Sequence, residues 1–326
     1  MDCKLLLSSL KPIILFLKLF GCFPYEIKLV NRSHASVKIS KIQVIYGFVL
    51  LIICTSYTIT YHSEIHSELL IDIIFEAHSD VISISAIISF LNNLYNIKEI
   101  CRIYENTFWY CRHLKDSKFY SKTLCITVGS VVIYFSGDIV SHIGYYLLYD
   151  RGDIIIYILD VITFNYTEFA IVFVVHQFCF LVIYFSKIIE ALNDELMKLN
   201  VPKRSVWIFD CLNVKIEENL NLLIVKENYI LKWAGAYMEI QDLLERVNDC
   251  FGVGVTVIIF FCFLGLLQSL YQFIFDGNII MFGVWFGYCA FLLWFILYSC
   301  EAALDEVRNA RDKKCLINSV KMLKIV

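Results

Sequence analysis

Six apolar blocks dictate the solvent in which this chain can fold. Val44 to Tyr61, Ile71 to Leu91, Leu124 to Tyr149, Ile154 to Phe185, Phe251 to Phe275 and Ile279 to Tyr298 each approach or exceed the length a helix needs to cross a hydrocarbon core of ~30 Å. Inside lipid the backbone has no water to bond with, so such blocks satisfy themselves as helices. The expectation is an all-α, multi-pass transmembrane bundle with six spans. Composition agrees, since 59% of the 326 residues are apolar against roughly 45–50% in soluble domains.

The long stretch that must live in water is Ser186 to Asp249, which holds eight Lys/Arg and eleven Asp/Glu. Ile188, Leu192, Leu196 and Leu199 recur there at three- and four-residue steps until Val201-Pro202 interrupts. A second run carries Ile216, Leu220, Leu223, Ile230, Ala234, Tyr237, Gln241, Leu244 and Val247. Each run predicts an amphipathic helix whose apolar stripe lies on its own bundle or meets the same stripe in sister subunits. The expected organisation is an arm over 1–43, spans one to four over 44–185, a helical anchor region over 186–249, spans five and six over 250–300, and a charged tail over 301–326.

In the arm, Lys4, Lys11 and Lys18 recur every seven residues and so share one edge of an otherwise apolar helix. No small-residue cleavage pattern follows, which argues against a signal peptide. An interfacial or re-entrant helix is expected, or else an uncleaved anchor, ending at Gly21-Cys22-Phe23-Pro24-Tyr25. Asn92 to Thr123 reads as a basic link. Ile154 to Phe185 is too long for one perpendicular span, so it tilts or continues past the membrane into the charged stretch.

Charge sets the orientation. With six spans, every one of the 28 Lys and Arg residues except Arg151 falls on the side of the N-terminus. By the positive-inside rule that side is the cytosol. Under this topology neither Asn31-Arg32-Ser33 nor Asn165-Tyr166-Thr167 is available for glycosylation.

Several spans carry polar residues. Asp72, Glu76 and Asp80 stand every four residues, with His78 nearby, and each acid near the bilayer centre would cost about 2.5–3.5 kcal/mol. That face must look at protein or water, unless Asp72 and Glu76 sit at the interface. Asp138 and His142 stand four apart, with Tyr145, Tyr146 and Tyr149 at an aromatic belt or a ligand cage. Asp160, Asn165, Glu168 and His176 interrupt the fourth block, where hydrogen bonding between helices is the commoner use.

Other chemistry has no support in the chain. Its formal charge of -3, with no basic arm, gives no footing for nucleic acid. The thirteen cysteines form no C-x-x-C pair, so neither a disulfide framework nor a metal site is expected. No phosphate-cradling or common hydrolytic motif occurs, and neither an enzyme nor a cofactor is expected.

The layout resembles the insect gustatory receptor family, part of the chemoreceptor superfamily that includes odorant receptors. The likeness rests on the Gly-x-Phe-Pro-Tyr-like element Gly21 to Tyr25 before the first span, and on the long charged link between spans four and five. Cys300 after the sixth span, with the acidic helix from Glu301, adds to it. Members of that family have a seventh, pore-lining span with Thr-Tyr followed five residues on by Gln-Phe. Tyr271-Gln272-Phe273 lies in the fifth span and lacks that spacing. The chain is therefore expected to be a partial gene product or a diverged member that does not conduct alone.

The resemblance implies a ligand-gated cation channel of the plasma membrane, a homo- or hetero-tetramer opened by a small tastant. A molecule entering from outside between spans two to six would meet Asp80, Asp138, His142, Tyr145, Asp160, Tyr166, Glu168, Gln268, Tyr271, Trp285 and Tyr288. Acids with aromatics suit a polyol or a cationic bitter compound. The rival readings are a heptahelical receptor coupled to G proteins, which the charge count opposes, and a secondary transporter, for which no internal repeat is visible.

Overall fold

The first helix, α1 (Cys3–Leu19), stops at a glycine. Gly21 has φ of 68°, its N–H bonds the Lys18 carbonyl at 3.1 Å, and the next N–H, of Cys22, bonds Leu17 O at 2.9 Å. This pair of bonds is a Schellman cap, and it turns the chain towards two antiparallel strands. The structure is a computed structural model, describing residues 3–31, 34–63, 70–110, 129, 154–200, 215–276 and 279–323.

Strands β1 (Tyr25–Asn31) and β2 (His34–Ile39) pair with Tyr25 opposite Ile39 and Ile27 opposite Val37. The sequence reading anticipated only helices. An isolated two-stranded ribbon is marginal in water, and here a helix completes it. That helix is α4 (Ile97–Tyr110), which follows α2 (Lys41–Ser63) and α3 (Leu70–Tyr95). Glu105 of α4 accepts the Val37 N–H at 3.1 Å, and the Cys101 thiol donates to Val37 O at 3.1 Å. The outer edge of β2 is thereby closed.

Helix α4 lies in the segment read as a link. Its buried residues Ile100, Ile103, Tyr104, Thr107 and Phe108 follow a helical period, and its Tyr104 ring packs 5.5–5.6 Å from Tyr25 and Phe23. Asn96 separates it from α3 and accepts its first N–H, from Ile100, at 2.9 Å. Ribbon and α4 together make a collar around one end of the bundle.

Three long helices follow: α5 (Ile154–Asn200), α6 (Lys215–Asp276) and α7 (Ile279–Leu323). Of the two courses open to the fourth block, the chain takes continuation, because α5 runs unbroken to Asn200. Helix α6 crosses the expected boundary near 249–250 without interruption, so the change there is one of composition and not of conformation. Helices α3, α5 and α7 run towards the collar, α2 starts from it, and α6 passes it at Glu239 to Cys250.

Helix α5 is the centre. It packs against α2, α3, α4, α6 and α7, and 89% of its most apolar window is buried. The corresponding windows of α6 and α7 are 44% and 33% buried, leaving Phe260, Phe263, Leu267, Trp294 and Leu297 on an apolar outer face. Among the described residues three helical stretches are long and apolar enough to cross a membrane, and α2 and α3 add shorter apolar runs over 41–57 and 80–95. The third predicted span, 124–149, lies outside the described residues except for the helical Gly129.

On the α5 side the seam with α7 has donors every seven residues. Cys179 Sγ donates to Phe295 O at 3.7 Å, Ser186 Oγ to Ala302 O at 3.1 Å, and Asn193 Nδ2 to Glu306 O at 3.4 Å. Small polar side chains at this spacing let two helices approach closely and fix their register. Beyond the apolar region the same two helices meet α6, where Trp233 Nε1 donates to Leu192 O at 2.9 Å.

The α1 cap packs with no slack. A Cβ on Gly21 would sit 2.5 Å from Gly47 Cα, and one on Gly47 would strike the Gly21 carbonyl. Gly283 has nothing within 4 Å of such an atom. Gly21→Ala or Gly47→Ala should therefore destabilise the protein by about 1–3 kcal/mol, and Gly283→Ala should not. Thermal unfolding followed by size exclusion in detergent distinguishes these outcomes.

Candidate functional site

Of the eleven residues proposed for ligand binding, seven have described side chains. Asp138, His142 and Tyr145 lie outside the described residues, and Asp160 lies on α5 with its side chain undescribed. Asp80 is exposed on α3. Tyr166 faces the α1–α2 contact: its hydroxyl reaches Gly47 O at 3.5 Å, and its ring stacks on Phe20 at 6.5 Å.

The remainder gather in the half of the bundle away from the collar. Trp285 and Tyr288 of α7 meet edge to face at 5.9 Å, and Tyr288 is buried. Glu168 of α5 is 1% exposed and lies within electrostatic range of Cys289, the neighbour of Tyr288 in the chain. Gln268 and Tyr271 are half-buried on α6, and the Gln268 Oε1 atom is buried with no hydrogen-bond partner among the described residues. An acid, an amide and three aromatics on α5, α6 and α7 can recognise a polar or cationic group through hydrogen bonds and ring faces.

A second group ties the collar to α6 and was not legible as a site. Asn92 Nδ2 donates to Cys250 O at 2.6 Å, and Asn96 Nδ2 reaches the same carbonyl at 3.3 Å. One turn away Glu99 accepts from Arg246 at 2.8 Å and from Arg102 at 3.0 Å, and Arg246 also binds Asp242 at 2.8 Å. Tyr110 donates to the Glu239 carboxylate, and Tyr184 of α5 donates to Thr107 O at 2.5 Å. The sequence signal was the four-residue spacing of Asn92 and Asn96 at the end of an apolar block.

Beneath the Gly21 turn is a cavity of about 30 Å3, lined by Gly21, Cys22, Tyr25, Asn93 and Gln177 among others. It has room for a single water. Asn93 Oδ1 is buried there with no partner among the described residues, and burial pushes the Cys22 thiol up to about 12. Among the described residues no cluster of His, Cys, Asp or Glu is placed to hold a metal ion, and the described cysteines are free thiols.

The sequence profile of the 7tm chemosensory receptor family matches residues 10–320. The chain belongs to that family. Among solved structures, this chemosensory receptor is similar to the insect olfactory receptor OR5 from Machilis hrabei, at a TM-score of 0.65 and 12% identity over 93% of this chain and 81% of that one. At that identity the likeness is one of fold. No individually curated protein matches the sequence. As a chemosensory receptor the chain is a membrane protein.

The two kinds of tie at the collar respond differently to solvent. The Arg246 hydrogen bond, helped by Arg102, holds the Glu99 carboxyl below its ordinary range. Any stability it contributes is thus present above that range and drains away only as pH falls through the depressed value, so the tie is intact at pH 6. Arg246→Ala should cost about 0.2–1 kcal/mol at low salt and nearly nothing at high salt, because the pair is exposed. Asn92→Leu should cost about 1 kcal/mol at both. Thermal unfolding at the two ionic strengths separates the contributions.

Proposed function

We propose that this chemosensory receptor is a taste-type subunit of a tetrameric ligand-gated cation channel in the plasma membrane. Its N-terminus and collar are cytosolic, as the placement of all Lys and Arg but Arg151 argues. Its ligand enters from the other face, into the half of the bundle that holds Glu168, Gln268, Tyr271, Trp285 and Tyr288. Asp80, Asp138, His142, Tyr145, Asp160 and Tyr166 remain candidates for the same ligand on sequence grounds. The observation that carries the reading is Glu168, a carboxyl buried in the central helix beside the α7 segment that bears Trp285 and Tyr288. A buried acid in the same half of the bundle as these aromatic residues suits a sugar-like polyol or a quaternary ammonium compound.

Because α5 and α7 are joined by hydrogen bonds from Cys179–Phe295 to Asn193–Glu306, a ligand that prefers one arrangement of the pair shifts the collar end with it. The charged ends of α5, α6 and α7 form the anchor region, whose exposed residues Met238 and Leu304 suit contact with sister subunits.

Calcium influx in cells co-expressing the chain with a conducting family member tests the binding site, with sugars and quaternary ammonium compounds as probes. Trp285→Ala and Tyr288→Ala should each raise the half-maximal concentration roughly tenfold, equivalent to about 1.4 kcal/mol, at unchanged maximal response. Dose–response curves unmoved by both substitutions would remove this pocket. For the topology, an epitope inserted beside Lys215 should be stained only after permeabilisation. Staining of intact cells would reverse the orientation.

A further inference from the structure

Helix α1 turns outward a stripe that neither water nor hydrocarbon satisfies. Ser8, Lys11, Leu15 and Leu19 follow one another at three- and four-residue steps and all are exposed, Leu15 at 69% and Leu19 at 66%. Lys18 is half-buried at its edge, and position 4, also a lysine, lies seven residues before Lys11 and so at nearly the same angle. In bulk water the two leucines would be left wet. In the hydrocarbon core the lysines would lose their hydration. Only the headgroup layer accommodates both, with leucines against acyl chains and lysine stems reaching back to the phosphates.

The place of α1 in the fold puts this stripe at that depth. Tyr46 donates to Leu19 O at 2.8 Å and Gly21 lies against Gly47, so the last turn of α1 is fixed beside the first turns of α2. Helix α2 has its own exposed stripe of Ile42, Ile45, Val49, Ile52 and Ile53, which is the lipid-facing side of an apolar helix. The α1 stripe thus continues a contact with the bilayer at the end where α2 begins, next to the exposed Lys41. The sign of the charge is uniform, because every charged residue of α1 is a lysine.

We propose that α1 and the first turn of α2 form a seat for anionic phospholipid, with Lys11 and Lys18 against lipid phosphates. The seat rests only on the membrane placement of the chain, and the taste-receptor reading can fail without affecting it.

Hydrogen–deuterium exchange of the backbone over 3–19 tests this on the whole chain in nanodiscs, of phosphatidylcholine alone or mixed with phosphatidylserine. Exchange should be slower with phosphatidylserine, by roughly fivefold for each lysine engaged. Lys11→Glu with Lys18→Glu should abolish the difference between the lipids, and the corresponding double arginine variant should keep it. Equal exchange in the two lipids overturns the proposal. If exchange is fast in both, α1 stands in water; if slow in both and indifferent to charge reversal, a second copy or another protein covers it. A folding defect in the glutamate variant would appear as faster exchange in α5 as well, and the native chain's response to the two lipids then decides alone.

Discussion

Everything in this fold is referred to α5, and α5 is held to α7 by hydrogen bonds whose donors repeat every seven residues. Cys179, Ser186 and Asn193 each donate to a carbonyl of α7. None is large, so the helix axes come close, and each supplies a polar atom that lipid does not. The first of these contacts lies among apolar residues and the last among charged ones. The acceptors, Phe295, Ala302 and Glu306, are seven and then four residues apart, so the seam links both solvents while its offset shifts by about one turn at the charged end. Packing restraints of this kind do not deform gradually, since a small axial slip would break several bonds at once.

The collar plays the complementary part for α6. That helix presents Gly254 to α3 and α5, where a Cβ would meet Val174 Cγ1 at 3.3 Å and Ser89 Oγ at 3.6 Å. One turn before, its Cys250 carbonyl receives both asparagines from the α3–α4 junction. A close backbone approach thus sits next to a doubly accepted carbonyl, and together they fix the depth of α6 in the bundle. The exposed ion pairs around Arg246 add direction at this level more than energy. The ribbon belongs to the same unit, since its outer edge is closed by α4 and its inner face by the Tyr25, Phe23 and Tyr104 rings.

The boundaries of α2 and α3 were legible because apolar runs with charged flanks mark where a helix meets the interface. The surplus length of Ile154 to Phe185 correctly signalled one helix running on beyond a span. What composition did not distinguish was enclosure. The apolar parts of α5, α6 and α7 read alike, yet only α5 has its most apolar window almost wholly covered by protein. The clue was the seven-residue spacing of Cys179, Ser186 and Asn193, which is visible only once a partner helix is known. The ribbon's alternation was also present, with Tyr25, Ile27, Ala35 and Val37 inward and Lys28 and Lys38 outward. Its stability, though, comes from Glu105 and Cys101, more than sixty residues away. Tyr166 stands two residues before Glu168 on α5, and its contacts with Gly47 and Phe20 join helices that no spacing in the sequence pairs.

Enclosure also explains why α5 tolerates residues that would burden a lipid-facing helix. Thr163, Thr167, Glu168, His176 and Gln177 are all buried, and His176 Nδ1 lies 2.8 Å from Val172 O while its ring packs on Phe295. For these groups the relevant solvent is protein, where fixed dipoles and neighbouring side chains replace water. A polar line inside the helix that touches α2, α3, α6 and α7 is costly to build unless it does something. Glu168 illustrates the point. Its carboxyl is out of reach of lipid, near Cys289 of α7, on the helix whose register with α7 is pinned further along. The first bond of that seam, from Cys179 to Phe295 O, lies about three turns further along the same helix.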